Sequence, residues 1–168
     1  IAVDAMGGDF GPEITLPACV SFLEEQPDIS LVLTGDQSVL SPMLEHCSEA
    51  IASRIRIHHT TELVAMDESP SYALRNKKDS SLRVALDLVS SGDVDACVSS
   101  GNTGALMATA KFVLKMIPGI SRPAILTRMP TVSGGVTRVL DLGANVDSSA
   151  EQLCQFALMG SILAQASG

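Results

Sequence analysis

Short apolar runs alternate with helix-length amphipathic stretches along the chain. Strand-like runs occupy residues 1–5, 30–34, 55–59, 96–99, 124–129 and 136–142. Helical stretches occupy 12–26, 39–52, 82–90 and 105–116, a short helix opens at Pro70, and residues 143–149 lead into a last helix. Such alternation is typical of β-α units, so it predicts an α/β fold with a mostly parallel sheet.

Composition narrows the class of protein. The 168 residues are 46% hydrophobic but only 3% aromatic, which predicts one α/β domain over residues 1–168 with an aliphatic core. The net charge of -8 argues against nucleic acid as a partner, because phosphate backbones are bound by clustered Lys and Arg. No apolar run approaches the roughly 18 to 20 residues that span a bilayer, and no signal peptide is evident, so the cytoplasm is the expected compartment.

Neither the cysteines nor the histidines form a motif. The cysteines are too widely spaced for a zinc or redox pair and are expected to be reduced and mostly buried: Cys19, Cys47, Cys97 and Cys154. Cys97 lies in an apolar strand, where burial would raise its pKa, so it is expected in the core and not as an acyl carrier. The histidines, His46, His58 and His59, lie away from the polar loops and do not support a Ser-His or Cys-His arrangement.

Residues 99–104 form the sharpest candidate site. Four polar segments lie where strands lead into helices, and ligands of open parallel sheets bind at that edge. In this one Gly101 and Gly104 allow close backbone approach, and the helix that starts at Asn102 and Thr103, just after Ser100, offers unpaired N–H groups to phosphate or an oxyanion. Alternatively, Asn102 or Ser100 caps the helix and the glycines only make the turn.

The same segment argues against nucleotides. Gly101 and Gly104 lack the third glycine of a dinucleotide fingerprint, and no Gly-Lys-Ser/Thr motif occurs in the chain. No NAD or ATP site is therefore expected.

The second segment follows the first strand and comprises residues 6–12. Gly7, Gly8 and Asp9 could approach or orient a ligand. A lone Asp between glycines is more often a turn residue, and Asp4 at the strand end is interpreted in the same way.

The third segment, residues 75–81, is the densest positive cluster. Arg75 and Lys78 could hold phosphate by charge, and Ser80 and Ser81 stand at the start of the next helix. The alternative is a solvated turn in which Ser80 or Ser81 is the N-cap.

The fourth segment, residues 141–147, places Asp141, Asn145 and Asp147 after an apolar strand. Two carboxylates permit a metal but do not require one, and no metal is predicted. The alternative is that Asp147 or Ser148 caps the last helix.

Long motifs of this chain resemble the bacterial phosphate acyltransferase (PlsX) family. The similarity lies in residues 1–12 (IAVDAMGGDFGP), 99–107 (SSGNTGALM), 119–124 (GISRPA) and 140–147 (LDLGANVD), with further agreement at 70–81 and 155–160. It covers essentially the whole chain. Members of that family are about twice as long, so the resemblance implies the N-terminal part of a longer enzyme.

The resemblance implies a Rossmann-like three-layer αβα sandwich, related to the phosphotransacetylase and isocitrate dehydrogenase-like fold. It implies an acyltransferase that moves a fatty acyl group from acyl-acyl carrier protein to inorganic phosphate, giving acyl phosphate for phospholipid biosynthesis. It further implies a homodimer, no cofactor, peripheral association with the inner membrane, and delivery of the product to a membrane glycerol-3-phosphate acyltransferase.

These implications give the candidate residues their roles. The catalytic candidates are Asn102, Thr103, Asp141 and Asn145. The phosphate- or substrate-binding candidates are Gly7, Gly8, Asp9, Arg75, Lys78, Ser80, Ser81, Ser100, Gly101 and Gly104. Phosphate is expected to be the nucleophile, held by the helix start at Asn102 and Thr103 and by Arg75 or Lys78, with N–H donors for the oxyanion.

Two other functions stay open. One is acetyl or butyryl transfer between coenzyme A and phosphate. The other is a non-catalytic anion-binding module of a lipid-synthesis assembly. For an acidic carrier protein the candidate basic patch is Lys77, Lys78, Lys111 and Lys115.

Overall fold

The computed structural model describes residues 1–166 and contains two compact units, one from Ile1 to Leu114 and one from Lys115 onward. The first unit is built on four parallel strands, β1 (Ala2–Asp4), β2 (Leu31–Gly35), β3 (Ile55–His59) and β4 (Cys97–Ser99), in the order β3-β2-β1-β4. Its helices are α1 (Pro12–Glu25), α2 (Gln37–Leu44), α3 (Glu49–Ala52), α4 (Pro70–Asn76), α5 (Ser81–Ser91) and α6 (Thr103–Val113).

Adjacent residues of the strands face opposite sides of this sheet, which produces three layers. Val3 packs with Leu16 and Leu23 of α1 in one apolar cluster. Ala2 packs on the other side with Ala85 of α5 and Val32. Helices α4, α5 and α6 meet in a third cluster on the α5 side, which includes Ala73, Leu82 and Ala105. The predicted α/β fold with a parallel sheet and helices on both faces is confirmed.

One predicted helix is wrong. Residues 39–52 form two helices and not one, because α2 ends at Leu44 and the backbone is extended at Ser48 (φ -63°, ψ 149°), the N-cap of α3. The amide of Cys47 donates to the carbonyl of Leu44 at 3.0 Å, closing a turn between the two helices. Helical periodicity continues through this turn, so the break is not visible in the pattern.

The second unit contains an antiparallel hairpin and a helix. Strands β5 (Leu126–Pro130) and β6 (Val136–Leu140) pair with each other, and α7 spans Ala150–Ala166. The hairpin turn has Gly134 at φ 81°, a conformation that favours glycine. Neither Asp147 nor Ser148 caps α7; Ser149 does, since its Oγ accepts from the amide of Gln152 at 3.3 Å. Within residues 1–166, no helix is long and apolar enough to cross a membrane.

Candidate functional site

The loops that follow β1 and β4 meet at the carboxyl edge of the parallel sheet. Asp4 and Ser99, the last residues of these two strands, are register partners. The side chain of Ser100 donates to the carbonyl of Gly7 at 3.1 Å, which joins the two loops directly. Two of the four predicted segments, residues 6–12 and 99–104, are therefore brought together.

Glycine is required where these loops cross. A Cβ atom added to Gly7 would lie 2.5 Å from Oδ2 of Asp4 and 3.1 Å from the amide nitrogen of Gly101. A Cβ on Gly8, whose φ is 89°, would lie 3.0 Å from Oγ of Ser100. Gly7, Gly8 and Gly101 thus let the two loops approach each other closely.

Asp4 lies beneath both loops and is only 1% exposed. Its Oδ2 accepts from Oγ of Ser99 at 2.7 Å, and that Oγ in turn accepts from the amide of Gly101 at 3.1 Å. Its Oδ1 has no hydrogen-bond partner in the described part of the chain. A buried carboxylate held by one hydroxyl is unusual, since buried charges are normally paired. The interpretation of Asp4 as an ordinary turn residue missed this link, although its position at the end of a buried strand was the available signal.

Asn102 is the N-cap of α6, and its side chain also forms hydrogen bonds with the loop of residues 65–68. Its Oδ1 accepts from the amide of Ala105 at 2.9 Å. Its Nδ2 is within 3.1 Å of the carbonyls of Ala65 and Met66 and 2.8 Å from that of Glu68. The buried side chain makes its hydrogen bonds inside the protein and joins the start of α6 to the loop of residues 65–68.

The donors that remain at the start of α6 belong to Thr103 and Gly104. The first N–H groups of a helix have no partner within it, and both residues are exposed. A Cβ on Gly104 would approach Cγ of Pro70 to 2.8 Å, so glycine lets the starts of α4 and α6 lie close together. Unpaired N–H groups at the positive end of a helix dipole can bind an anion.

In the third predicted segment, residues 75–81, the two serines make hydrogen bonds inside the protein. Ser80 is the N-cap of α5, as one alternative held: its Oγ donates to the carbonyl of Lys77 at 2.7 Å and accepts from the amide of Arg83 at 3.3 Å. The carbonyl of Ser81 accepts from Oγ1 of Thr34 at 2.8 Å, which ties α5 to β2. Both serines are buried, so neither hydroxyl lies open to solvent.

The charged candidates of this unit lie on its surface. Arg75, Lys78 and Asp9 are exposed. Among residues 1–166, the single ion pair within 4.0 Å is Arg83 with Asp87 on α5, so Arg75 and Lys78 are free of carboxylate partners. They are available to an anion, although no hydrogen bond holds them against the glycine loops.

Asp141 and Asn145 lie in the second unit, where they fasten two segments to each other. Asp141 accepts from the amides of Ile125 at 2.7 Å and Asn145 at 2.8 Å, and Nδ2 of Asn145 reaches Pro123 at 3.0 Å. Burial opposes ionisation of Asp141, but these bonds, with one from Ala144, outweigh it and hold its pKa below the usual range. The carboxylate accepts hydrogen bonds from its own loop.

Two thiols have a raised pKa, and the described residues include no metal-binding cluster. Burial raises the pKa of Cys19 to about 11, and burial followed by the charge of Asp4 raises that of Cys97. Within the described residues no group of three or more His, Cys, Asp or Glu side chains is placed to hold a metal. What the site offers chemically is a set of rigid backbone donors.

Comparisons with known proteins agree on one family. The family model described as fatty acid synthesis protein matches residues 1–167. A phosphate acyltransferase of Methylococcus capsulatus is 59% identical over 166 residues, 99% of this chain and 49% of that protein. The phosphate acyltransferase of Legionella pneumophila strain Paris is 58% identical over 99% of this chain and 48% of its own length. That of Vibrio campbellii is 52% identical over 98% of this chain and 48% of its own length. The chain spans about half the length of these curated relatives.

Proposed function

This chain belongs to the fatty acid synthesis protein family, and on that premise we propose that it is the N-terminal part of an acyltransferase acting on phosphate. The proposed reaction moves a fatty acyl group from acyl-acyl carrier protein to inorganic phosphate, which yields acyl phosphate for phospholipid synthesis. Relatives more than 50% identical over nearly all of this chain carry the name phosphate acyltransferase, which supports the acceptor and the reaction class.

The observation that carries the proposal is the crossing of the two glycine loops beside the start of α6. Gly7, Gly101 and Ser100 are in mutual contact there. The open N–H groups of Thr103 and Gly104 are adjacent in sequence. An anion of the size of phosphate needs several converging donors, and fixed backbone donors supply them without reorganisation.

In the proposed mechanism phosphate is the nucleophile. An oxygen of phosphate attacks the thioester carbonyl, a C–O bond forms, and the carbonyl oxygen becomes a tetrahedral oxyanion that accepts from N–H groups of the site. Collapse breaks the C–S bond, and the carrier-protein thiolate leaves and takes a proton from solvent. Holding the two reactants in place supplies much of the rate, and no protein nucleophile is needed.

Other parts of the proposal rest on exposed charges. Arg75 and Lys78 would attract phosphate. Lys77, Lys78, Lys111 and Lys115 would face the acidic carrier protein. Asp141 and Asn145 would shape the loop that follows β6 and would not attack. We further propose that the full-length protein is a homodimer that associates peripherally with the inner membrane and passes acyl phosphate to a membrane acyltransferase.

A proline substitution tests the helix start in the full-length enzyme. Thr103 is the first residue of α6, a position that tolerates proline, and the extended backbone of Asn102 (φ -62°, ψ 108°) suits a residue before proline. Thr103→Pro should therefore remove one N–H donor and leave the fold intact, while kcat/KM falls on the order of 100-fold. Thr103→Ala keeps the N–H and is the matched control. Acyl phosphate is trapped as hydroxamate for the assay.

The acyl donor that the full-length enzyme prefers, and whether it transfers the acyl group to phosphate, distinguish the three candidate functions. Turnover of long-chain acyl-acyl carrier protein with phosphate supports the proposal, whereas a preference for acetyl or butyryl coenzyme A supports the second enzyme. Phosphate binding without turnover would indicate the anion-binding module. Wild-type rates for Thr103→Pro would show that this N–H does not take part.

A further inference from the structure

Asp4 is a buried charged group that the proposed mechanism does not use. Among residues 1–166 the single ion pair within 4.0 Å joins Arg83 to Asp87, so no cation neutralises the Asp4 carboxylate. In the same range one hydroxyl donates to its Oδ2, and its Oδ1 has no hydrogen-bond partner. A buried charge with so little compensation lowers the stability of a protein. Proteins retain such unfavourable features mainly at functional sites.

The hydroxyl of Ser99 connects this carboxylate to the loop before α6. Its proton points to Asp4, so its lone pairs are left for the amide of Gly101, which donates to it at 3.1 Å. The C=O of a trans peptide points opposite to the N–H, so the carbonyl of Ser100 points away from Ser99. A Cβ atom on Gly8 would lie 3.3 Å from that carbonyl oxygen. The N–H of Gly101 is therefore engaged inside the protein, and the carboxylate lies directly behind the loop that leads to the anion donors.

The carboxylate is close enough to act on a bound anion. A Cβ atom on Gly101 would lie 3.2 Å from Oδ2 of Asp4, and the N–H of Thr103 is two residues further along the chain. An anion on that N–H therefore lies on the order of 10 Å from the carboxylate. Repulsion over that distance in a partly buried setting weakens anion binding roughly tenfold. The same charge acts on a neighbouring thiol, because burial and then the charge of Asp4 raise the pKa of Cys97.

We propose that Asp4 is a positioning residue that opposes the binding of phosphate and so keeps the bound nucleophile reactive. As the C–O bond forms and the C–S bond breaks, negative charge moves from the phosphate oxygen to the carbonyl oxygen and then to the departing thiolate. Repulsion by Asp4 is relieved as this charge leaves the phosphate. It therefore raises the free energy of bound phosphate more than that of the transition state. This inference rests on the reaction proposed above.

Two substitutions in the full-length enzyme should change the KM for phosphate in opposite directions. Asp4→Asn keeps an oxygen that accepts from Ser99 but removes the charge. The KM should fall roughly tenfold and kcat should fall with it, so that kcat/KM stays nearly constant. Ser99→Ala removes the donor that offsets the charge, so the KM should rise roughly threefold. Asp95→Asn is the matched control, because it removes one exposed negative charge before β4, at the other end of the strand, and should keep the wild-type KM.

Opposite shifts support the proposal, because a merely structural role would loosen the same loops in both variants and raise the KM in both. A KM for phosphate that is unchanged or raised in Asp4→Asn overturns it. Circular dichroism identifies the folded variants, and Asp4→Ser removes the same charge if Asp4→Asn does not fold.

Calorimetry separates this proposal from the proposed reaction. Titration with inorganic phosphate alone should show a Kd roughly tenfold lower for Asp4→Asn than for the wild type, and it needs no turnover. A wild-type enzyme that forms no acyl phosphate would contradict the reaction. Wild-type turnover together with equal phosphate affinities of the two proteins would contradict only the role of Asp4.

Discussion

Asp4 is the residue on which the two glycine loops depend. Its carboxylate accepts a hydrogen bond from Oγ of Ser99, and the same Oγ accepts one from the amide of Gly101. The Asp4 carboxylate therefore holds the end of β1 against the loop after β4. Gly7 packs directly against it. Any change at Asp4 or Ser99 therefore reaches the candidate anion site through the backbone.

A double-mutant cycle on Asp4 and Ser99 should give a large coupling. Ser99→Ala leaves the buried carboxylate without a donor, so we expect the free energy of unfolding to fall by about 1–3 kcal/mol. In the Asp4→Asn background the charge is gone, and the same change should have a smaller effect. Urea unfolding of the full-length protein at pH 7 measures both.

Ser100→Ala serves as the control for this cycle. Its exposed hydroxyl donates to the carbonyl of Gly7 and does not contact the carboxylate, so its effect should be small and independent of Asp4. Additive losses from Asp4→Asn and Ser99→Ala would show that the hydrogen bond between them carries little energy.

For single residues, the sequence predicts where glycine is needed better than it predicts which side chains form hydrogen bonds with each other. Gly101 could be assigned to close backbone approach because glycine permits it, but the approach expected was to a ligand and the structure shows one between two loops. The bond from Ser99 to Asp4 spans 95 residues, and spacing cannot reveal it because it depends on which strands are neighbours. Whether the candidate residues bind substrate remains a prediction.

Among the elements, the start of α6 differs from an ordinary capped helix. Asn102 offers its oxygen to the helix and its nitrogen to three carbonyls of residues 65–68. Aspartate keeps the capping oxygen but would place a buried carboxylate against those carbonyls. The two functions of the side chain can therefore be separated by substitution.

We expect Asn102→Asp to destabilise the protein at least as much as Asn102→Ala, by more than the roughly 1 kcal/mol of a lost N-cap. Hydrogen exchange in residues 65–68 should accelerate in both variants. Ser69→Asp at the start of α4 is the matched control, since the Ser69 side chain only accepts from the amide of Tyr72, and it should stay near wild type. If Asn102→Asp were as stable as wild type, Asn102 would be a simple cap.

The loop after β6 should lose stability in acid. The pKa of Asp141 is lowered in the folded state, so its contribution to stability is present above the ordinary carboxyl pKa and is lost as the pH falls through the lowered value. Urea unfolding from pH 7 down to pH 2.5 should show a wild-type loss that Asp141→Asn lacks. The difference between the two proteins isolates this group from other acids, and parallel curves would contradict the assignment.

The sequence predicted whether a segment is a helix or a strand better than it predicted the residues at which each one begins and ends. Apolar periodicity located each strand and most helices, but a new helix begins just after Ser48 inside an unbroken pattern, because the backbone of Ser48 is extended. Likewise, Ser80 could be named as one of two possible caps, and the choice depends on which hydroxyl meets the amide of Arg83.

For the molecule as a whole, the reactivity of the Cys19 thiol measures whether α1 stays packed on the sheet. With a pKa near 11, Cys19 is about 0.1% thiolate at pH 8, so iodoacetamide should leave it unmodified in native protein and modify it in urea. Free cysteine is the reference thiol. Alkylation of native Cys19 at the rate of free cysteine would show that α1 does not stay packed on the sheet.

The order of strands is the property of the whole molecule that the sequence could not supply. Alternating elements predict parallel pairing, but the placement of β4 beside β1 depends on the crossover between β3 and β4, which has no local signature. The edge left by that placement is also invisible in the pattern, since Val98 resembles any core valine.

The central position of β1 has a consequence for the order in which the protein forms during synthesis. Strand β1 can pair with β2 as soon as the chain up to Gly35 has been made, whereas β4 reaches it only after the chain up to Ser99 has been made. Loop closure over the longer distance loses more entropy, so the β1-β4 pairing comes late. The two glycine loops can meet only after that pairing, so a nascent chain carries three strands of its sheet before it carries the candidate anion site.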